Sequence, residues 1–235
     1  MFPLREISSF KFLVVLLVVF PVCGAYGQQT VFDVPSADVL DKGKVYGELD
    51  GTVRPMDPLA TFTPRVVVGI GHRIEVGMNF DGLSAPTLDQ LEISPTMKWR
   101  LWKGKTSGWS FYLGDDLFFP VRKRTYDVGN YVYAFFAKEW KHGARIGFGG
   151  YDFTRNVVAN ANRAGGQFTF EQRVNDRLTL AAEWYTGKQA VGYVNPGAIL
   201  KLNSKLTLYA AYQIGNAGVT MGNHQFLWEI GYNFN

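Results

Sequence analysis

Residues 44–54 read Lys-Val-Tyr-Gly-Glu-Leu-Asp-Gly-Thr-Val-Arg. In an extended chain successive side chains point to opposite sides. Val45, Gly47, Leu49, Gly51 and Val53 therefore share one face, and Tyr46, Glu48, Asp50, Thr52 and Arg54 share the other. One face suits lipid or a packed interior and the other suits water. A period of two marks a strand, because an amphipathic helix would repeat every 3.6 residues.

The same dyad recurs along the chain. Pro64, Val66, Val68 and Ile70 alternate with Arg65, and after Gly71-His72 the residues Ile74, Val76, Met78 and Phe80 alternate with Arg73, Glu75, Asn79 and Asp81. This predicts a hairpin. Leu91, Ile93, Pro95, Met97, Trp99 and Leu101 stand against Glu92, Ser94, Thr96, Lys98 and Arg100, a run long enough for a tilted strand to cross a bilayer. Pro95 predicts a bulge or a weakly paired position there. Further strands are expected at 108–117, 129–140, 144–153, 167–174, 178–185, 191–202, 206–214 and 224–234, for about twelve in all. Residues 129–140 carry aromatics on both faces, so their parity does not say which side is inward.

The connections add an independent signal. Links at 71–72, 102–107, 141–143, 175–177 and 203–205 are tight, and those between them are longer, apart from the short 186–190. Tight turns at one end and long loops at the other is the arrangement of outer-membrane barrels, with the turns on the periplasmic side. Trp99, Trp102, Trp109 and Trp140 gather near the tight turns, and Phe80 and Trp184 near the other end, as two interfacial girdles require. The fold class is thus an all-β, up-and-down antiparallel barrel of about twelve strands, with both termini expected in the periplasm. A soluble β-sandwich is the competing reading of the same alternation.

Composition agrees with strands and turns: aromatics are 15% of the chain, and 26 residues are Gly. At the N-terminus Arg5 and Lys11 precede the apolar run 12–22, and Ala25-Tyr26-Gly27 offers small residues where a signal peptidase reads. Cleavage before Gln28 would leave 208 of the 235 residues, with 22 basic against 19 acidic side chains, which is no nucleic-acid footprint. The expected organisation is a signal peptide at 1–27, a periplasmic lead-in at 28–43 and the barrel at 44–235. A lipoprotein centred on Cys23 and an uncleaved anchor helix are the alternatives for the leader. Cys23 is the single cysteine, so the mature chain has no thiol for redox chemistry.

The last strand, with Phe226, Trp228, Ile230, Tyr232 and Phe234 on one face, resembles the C-terminal signature by which outer-membrane barrels are recognised for assembly, though Asn235 follows the final Phe. In size and strand number the mature chain resembles small twelve-stranded porins and channels. That resemblance implies outer-membrane lipid, lipopolysaccharide and the barrel-assembly machinery as partners, with small hydrophilic solutes as cargo. The segment 35–40 followed by Gly43 is similar to the start of some exopolysaccharide-associated outer-membrane proteins, which would imply a closed accessory barrel linked to polysaccharide export. Ser36 also suits the cap of one helical turn.

No catalytic or metal constellation stands at a readable spacing. His72 and His142 fall in tight turns, and His224 stands alone near the other rim, so neither catalysis nor a cofactor is expected. The Gly-rich stretches 147–150 and 165–166 lack the Lys-Ser/Thr of a phosphate cradle and suit curvature or close packing in a barrel wall. The inward face carries Arg54, Arg65, Arg73, Lys98, Arg100, Arg145, Arg173 and Lys201 against Glu48, Asp50, Glu75, Asp81, Glu92, Glu171, Glu183 and Glu229. Such a balance argues against strong ion selectivity and leaves a solvated passage or a closed, paired lumen open. The loop cations 122–124 could meet lipopolysaccharide phosphates or steer anionic solutes. A closed barrel resists detergent at room temperature. The unheated protein should therefore run at a different apparent mass from the boiled protein, whereas a sandwich would stay soluble without detergent.

Overall fold

The computed structural model describes residues 29–55, 60–85, 91–122, 126–218, 220 and 222–234. The expected leader, most of the basic 122–124 loop and Asn235 lie outside the described residues.

The sheet begins with β1 (Val45–Val53), β2 (Ala60–Gly71), β3 (Ile74–Asp81) and the three-residue β4 (Leu83–Ala85). It continues with β5 (Glu92–Lys103), β6 (Trp109–Pro120), β7 (Gly129–Glu139) and β8 (Ala144–Phe153). After the single-turn α1 (Arg155–Val158) come β9 (Ala164–Arg173), β10 (Leu178–Tyr185), β11 (Tyr193–Lys201), β12 (Leu206–Gly215) and β13 (His224–Asn233). Every long strand pairs antiparallel with the next, and β4 extends the far end of β2. The first strand then pairs with the last, from Tyr46↔Asn233 to Val53↔Phe226. That pairing closes a twelve-stranded barrel with no free edge, the form in which strands can satisfy their backbone groups inside lipid.

The alternation predicted from sequence sets inside and outside. Tyr46, Glu48 and Asp50 are buried within the barrel, and Leu49 and Val53 are exposed on its outer wall. The ambiguous segment resolves the same way: Tyr131, Tyr133, Phe135 and Ala137 of β7 point in, and Val132 and Phe136 point out. Lys138 lies at the rim, its ammonium 5.6 Å from the Trp109 ring and 5.7 Å from that of Trp140. The wall bulges between Gly69 and Gly71 and between Arg100 and Trp102. Pro95 pairs with Met78 of β3, but on the β6 side the ladder passes from Ile93↔Phe119 to Thr96↔Asp116 and skips it, the weakly paired position that the proline predicts.

Exposed residues 41–43 lead into β1, and residues 29–40 before them are not the expected lead-in outside the barrel. They run into its interior, and residues 29–36 turn back as a tight hairpin held by a Thr30–Pro35 bridge, Val31 N–H to Val34 C=O at 2.8 Å, and Ser36 N–H to Gln29 C=O at 3.1 Å. Ser36 caps no helix; it is fully buried, and its hydroxyl accepts from the Asp38 N–H at 3.3 Å. The physical cause is apolar: Val31, Phe32 and Val34 leave water by entering the lumen, each contributing about 1.5–3 kcal/mol.

Two of the glycines show how closely backbone or ring approaches the wall. A Cβ on Gly69 would stand 2.1 Å from the Asp41 carbonyl, and one on Gly147 would stand 2.1 Å from the Phe135 ring. Gly69→Val should therefore displace the 40–41 segment at the cost of about 1–3 kcal/mol. The expected readout is a lower heat-modification midpoint than for wild type, and an unchanged midpoint counts against this close approach.

Candidate functional site

The lumen is the site, and its wall and the N-terminal hairpin build it together. At the hairpin tip the backbone N–H groups of Phe32, Asp33 and Val34 donate to the Glu183 carboxylate at 3.0, 2.7 and 3.0 Å. Three converging amides form an anion nest, and hydrogen bonds to a charged acceptor are the stronger kind. Asn195 donates to both Glu183 (2.7 Å) and Asp33 (3.0 Å), and Gln213 donates to Asp33 at 2.6 Å. The Phe32 ring belongs to an inward apolar patch with Ala181, Ile199, Tyr209, Ala211 and Leu227. Val34 faces a second patch, the aromatic group of Tyr112, Tyr131, Tyr133, Phe135, Tyr151, Phe153 and Tyr185.

Lower on the hairpin's return limb, Arg145 grips the Asp38 carboxylate with Nη1 at 3.0 Å to each oxygen and the Glu171 carboxylate with Nε and Nη2 at 2.8 and 2.7 Å. Lys98 pairs with Glu75 at 2.9 Å and donates to the Gln29 carbonyl at 3.0 Å. Glu75 also accepts the Leu40 N–H at 2.8 Å. Arg65 meets Asp50 at 2.7 Å and Glu48 at 3.5 Å, and donates to the Thr30 hydroxyl at 3.0 Å. A buried ion must be paired and hydrogen-bonded to be tolerated, and the hairpin supplies many of those partners.

The residues read as lumen-lining thus divide by height and by neighbour. Glu48, Asp50, Arg65, Glu75, Lys98, Arg145, Glu171, Glu183 and Glu229 lie inside, several of them joined as described. Arg54 reaches Gln225 at 3.2 Å near the long-loop rim, Arg100 stands at the inward parity of β5, and Lys201 sits on the inner side of β11 opposite Thr207. Asp81 accepts from Ser94 at 2.5 Å and Glu92 from Tyr126 at 2.7 Å. Two readings are corrected. Arg73 is exposed in the turn, where His72 and Arg73 have φ of 53° and 65°, so strand parity does not carry through it. Arg173 is exposed at the very end of β9 and belongs to the rim. Phe226, Trp228, Ile230, Tyr232 and Phe234 all take the outward parity of β13. His224 is also outward, its ring 5.4 Å from that of Tyr212, which removes it from the lumen.

Sequence parity missed Asp33, Asp38 and Asp116. The first two precede any strand, and Asp116 sits in a strand whose Asp115-Asp116 pair blurs the alternation. The signal that was available lies in Ala181, Ile199, Ala211 and Leu227, which are apolar at inward positions of a lumen otherwise lined with charge and so call for an apolar occupant.

Among the described residues, two cavities bear on the site. One of about 570 Å³ opens among the tight turns; Lys103, Lys105, Lys138, Lys141, Arg145 and Arg173 line it beside Glu139 and Glu171. The other, of about 20 Å³, is enclosed by Gln29, Thr30, Glu75, Thr96, Lys98, Asp116 and Tyr133, room for roughly one water. The hairpin thus stands between a basic mouth and the far end of the lumen.

No protein-family model and no curated protein sequence matches the chain. Solved structures do match its fold. The NanC porin superposes with a TM-score of 0.57 at 10% identity, over 80% of this chain and 99% of that one. The COG4313 outer membrane channel from Pseudomonas putida F1 gives 0.52 at 12% identity, over 86% and 100%. At these identities the likeness is one of fold, that of a closed antiparallel twelve-stranded barrel.

Removing the Glu183 carboxylate leaves three buried amides without an acceptor, each worth about 1–3 kcal/mol. Glu183→Ala should free the hairpin while leaving the strands paired. Limited proteolysis of the folded protein is expected to trim the N-terminal residues of the variant and spare those of wild type. Equal protection in both would show that Glu183 does not hold the hairpin.

Proposed function

We propose that the chain is a porin-like channel of the bacterial outer membrane for small hydrophilic solutes, with its lumen narrowed by its own N-terminal hairpin. The observation that carries this reading is the closed barrel with an apolar outer wall and a charged inner one. Lipid on one side and water on the other is the setting that satisfies both faces. Tight turns and both chain ends then face the periplasm, and lipopolysaccharide meets the long-loop rim. The outward row Phe226, Trp228, Tyr232 and Phe234 serves recognition by the barrel-assembly machinery. The chemistry is passive and needs no catalytic group, since solutes pass by size and by exchange of hydration for lumen polar groups. Six cations against two anions at the wide mouth favour anionic solutes there.

A second reading has its own observation. The hairpin occupies the lumen and pairs with several of its charges, as a closed accessory barrel attached to polysaccharide export would require.

Planar-bilayer recordings separate the two. The full chain should give small or infrequent steps, and a variant lacking residues 29–40 should give larger, steady ones with a reversal potential shifted toward anions. A deletion variant that runs as a folded barrel yet stays silent overturns the channel reading in favour of the closed barrel.

A further inference from the structure

The seam where the barrel closes carries a charge problem that its ion pairs do not solve. Glu48 and Asp50 of β1 and Glu229 of β13 all face the lumen and are all buried, with 5%, 5% and 1% of their surface exposed. Asp50 and Glu229 are direct partners across the closing seam. Like charges directly opposite one another on a sheet are destabilising. One carboxylate oxygen from each of the three residues lies within 4.8 Å of the others.

Arg65 of β2 approaches Asp50 at 2.7 Å and Glu48 at 3.5 Å. The Tyr46 hydroxyl donates to Glu48 at 2.5 Å and lies 3.2 Å from that of Tyr209, itself opposite Glu229 on β12. Asp33 of the hairpin is satisfied by Asn195 and Gln213. Among the described residues a single guanidinium, that of Arg65, therefore faces three carboxylates. The independent sign of a ligand is Glu229: both of its oxygens are buried and neither has a hydrogen-bond partner. An ionised carboxylate in that state is among the costliest groups a protein can bury.

We propose that Glu48, Asp50 and Glu229 hold a hard divalent cation of the size of calcium, which clasps the first strand to the last. Calcium takes oxygen ligands at about 2.3–2.6 Å, so no two of its ligands stand farther apart than about 4.6–5.2 Å, a limit that this trio, within 4.8 Å of one another, keeps. The ion neutralises the two charges that Arg65 leaves over and supplies the bond that both Glu229 oxygens lack. It joins strands at opposite ends of the sequence at the one pairing on which closure rests.

The test uses the purified, folded chain in detergent free of lipopolysaccharide, stripped with chelator and titrated with terbium. Tyr46 and Tyr209 lie close enough to sensitise terbium emission. Emission on tyrosine excitation should rise several-fold, fall when calcium is added in excess, and be lost in Glu229→Gln. Calcium should raise the heat-modification midpoint of wild type by several degrees and leave that of Glu229→Gln unmoved. In chelator the ordering reverses: Glu229→Gln should be the more stable of the two, because it removes an uncompensated charge. Should Glu229→Gln fail to fold, Asp50→Asn carries the same expectation for emission and for the calcium shift. Terbium emission equal in wild type and variant, or a wild-type midpoint indifferent to calcium and raised by mild acid, overturns the proposal; the second result assigns a proton to the place of the ion.

Discussion

Closure of the sheet on itself is the constraint from which the rest follows. A hydrocarbon environment offers no hydrogen bonds, and each unsatisfied backbone group in it costs several kcal/mol. The pairing of β1 with β13 removes both edges that an open sheet of these strands would present. It also fixes the strand number at twelve and with it the width of the interior. An interior of that width is too small to leave its charges independent of one another, so every inward side chain must find water, a counter-charge or a hydrogen bond within reach.

The hairpin answers that need from inside. Glu183 gains three amide donors, Arg145 gains a second carboxylate, and the Leu40 amide reaches Glu75. In return the wall gives Phe32 and Val34 apolar floors to rest on. The mixed charge of the lumen is therefore not a uniform ladder lining a water column. Part of it is internal pairing of the wall, part is the seat of the hairpin, and the basic mouth beneath Arg145 is what stays open to solvent.

How much of this could be read in advance depended on whether the information was local. Alternation is local, so the strands of Lys44–Arg54 and Leu206–Ile214 were legible, as were inward positions such as Glu171 and Glu229. Parity says which side a residue takes and nothing about its height or its partner. Arg173 was thus placed on the right strand but at the rim, and Arg73 was lost because two residues of positive φ interrupt the period. The strand at 129–139 was opaque since its lumen side carries tyrosines, where a polar row was the expected cue. The hairpin had no periodic signal at all, because what determines it is the chemistry of strands far along the chain. The grouping of Glu48, Asp50 and Glu229 was hidden for the same reason, since it exists only once the two ends of the barrel meet.

That remoteness has a kinetic consequence. The bond from Arg145 to Asp38 spans 107 residues, those to Glu183 span 149 to 151, and the one from Gln213 spans 180. Contacts so distant in sequence form late, after the entropy of joining the ends has been met. The early residues 29–40 thus find partners in β2, β3 and β5 first, but the hairpin tip has no acceptor at Glu183 until β10 exists and so settles late. A chain whose early residues carry Val31, Phe32 and Val34 must keep that apolar tip in transit, unsatisfied, for the whole course of assembly. For that tip the order of synthesis and the order of settling run in opposite directions.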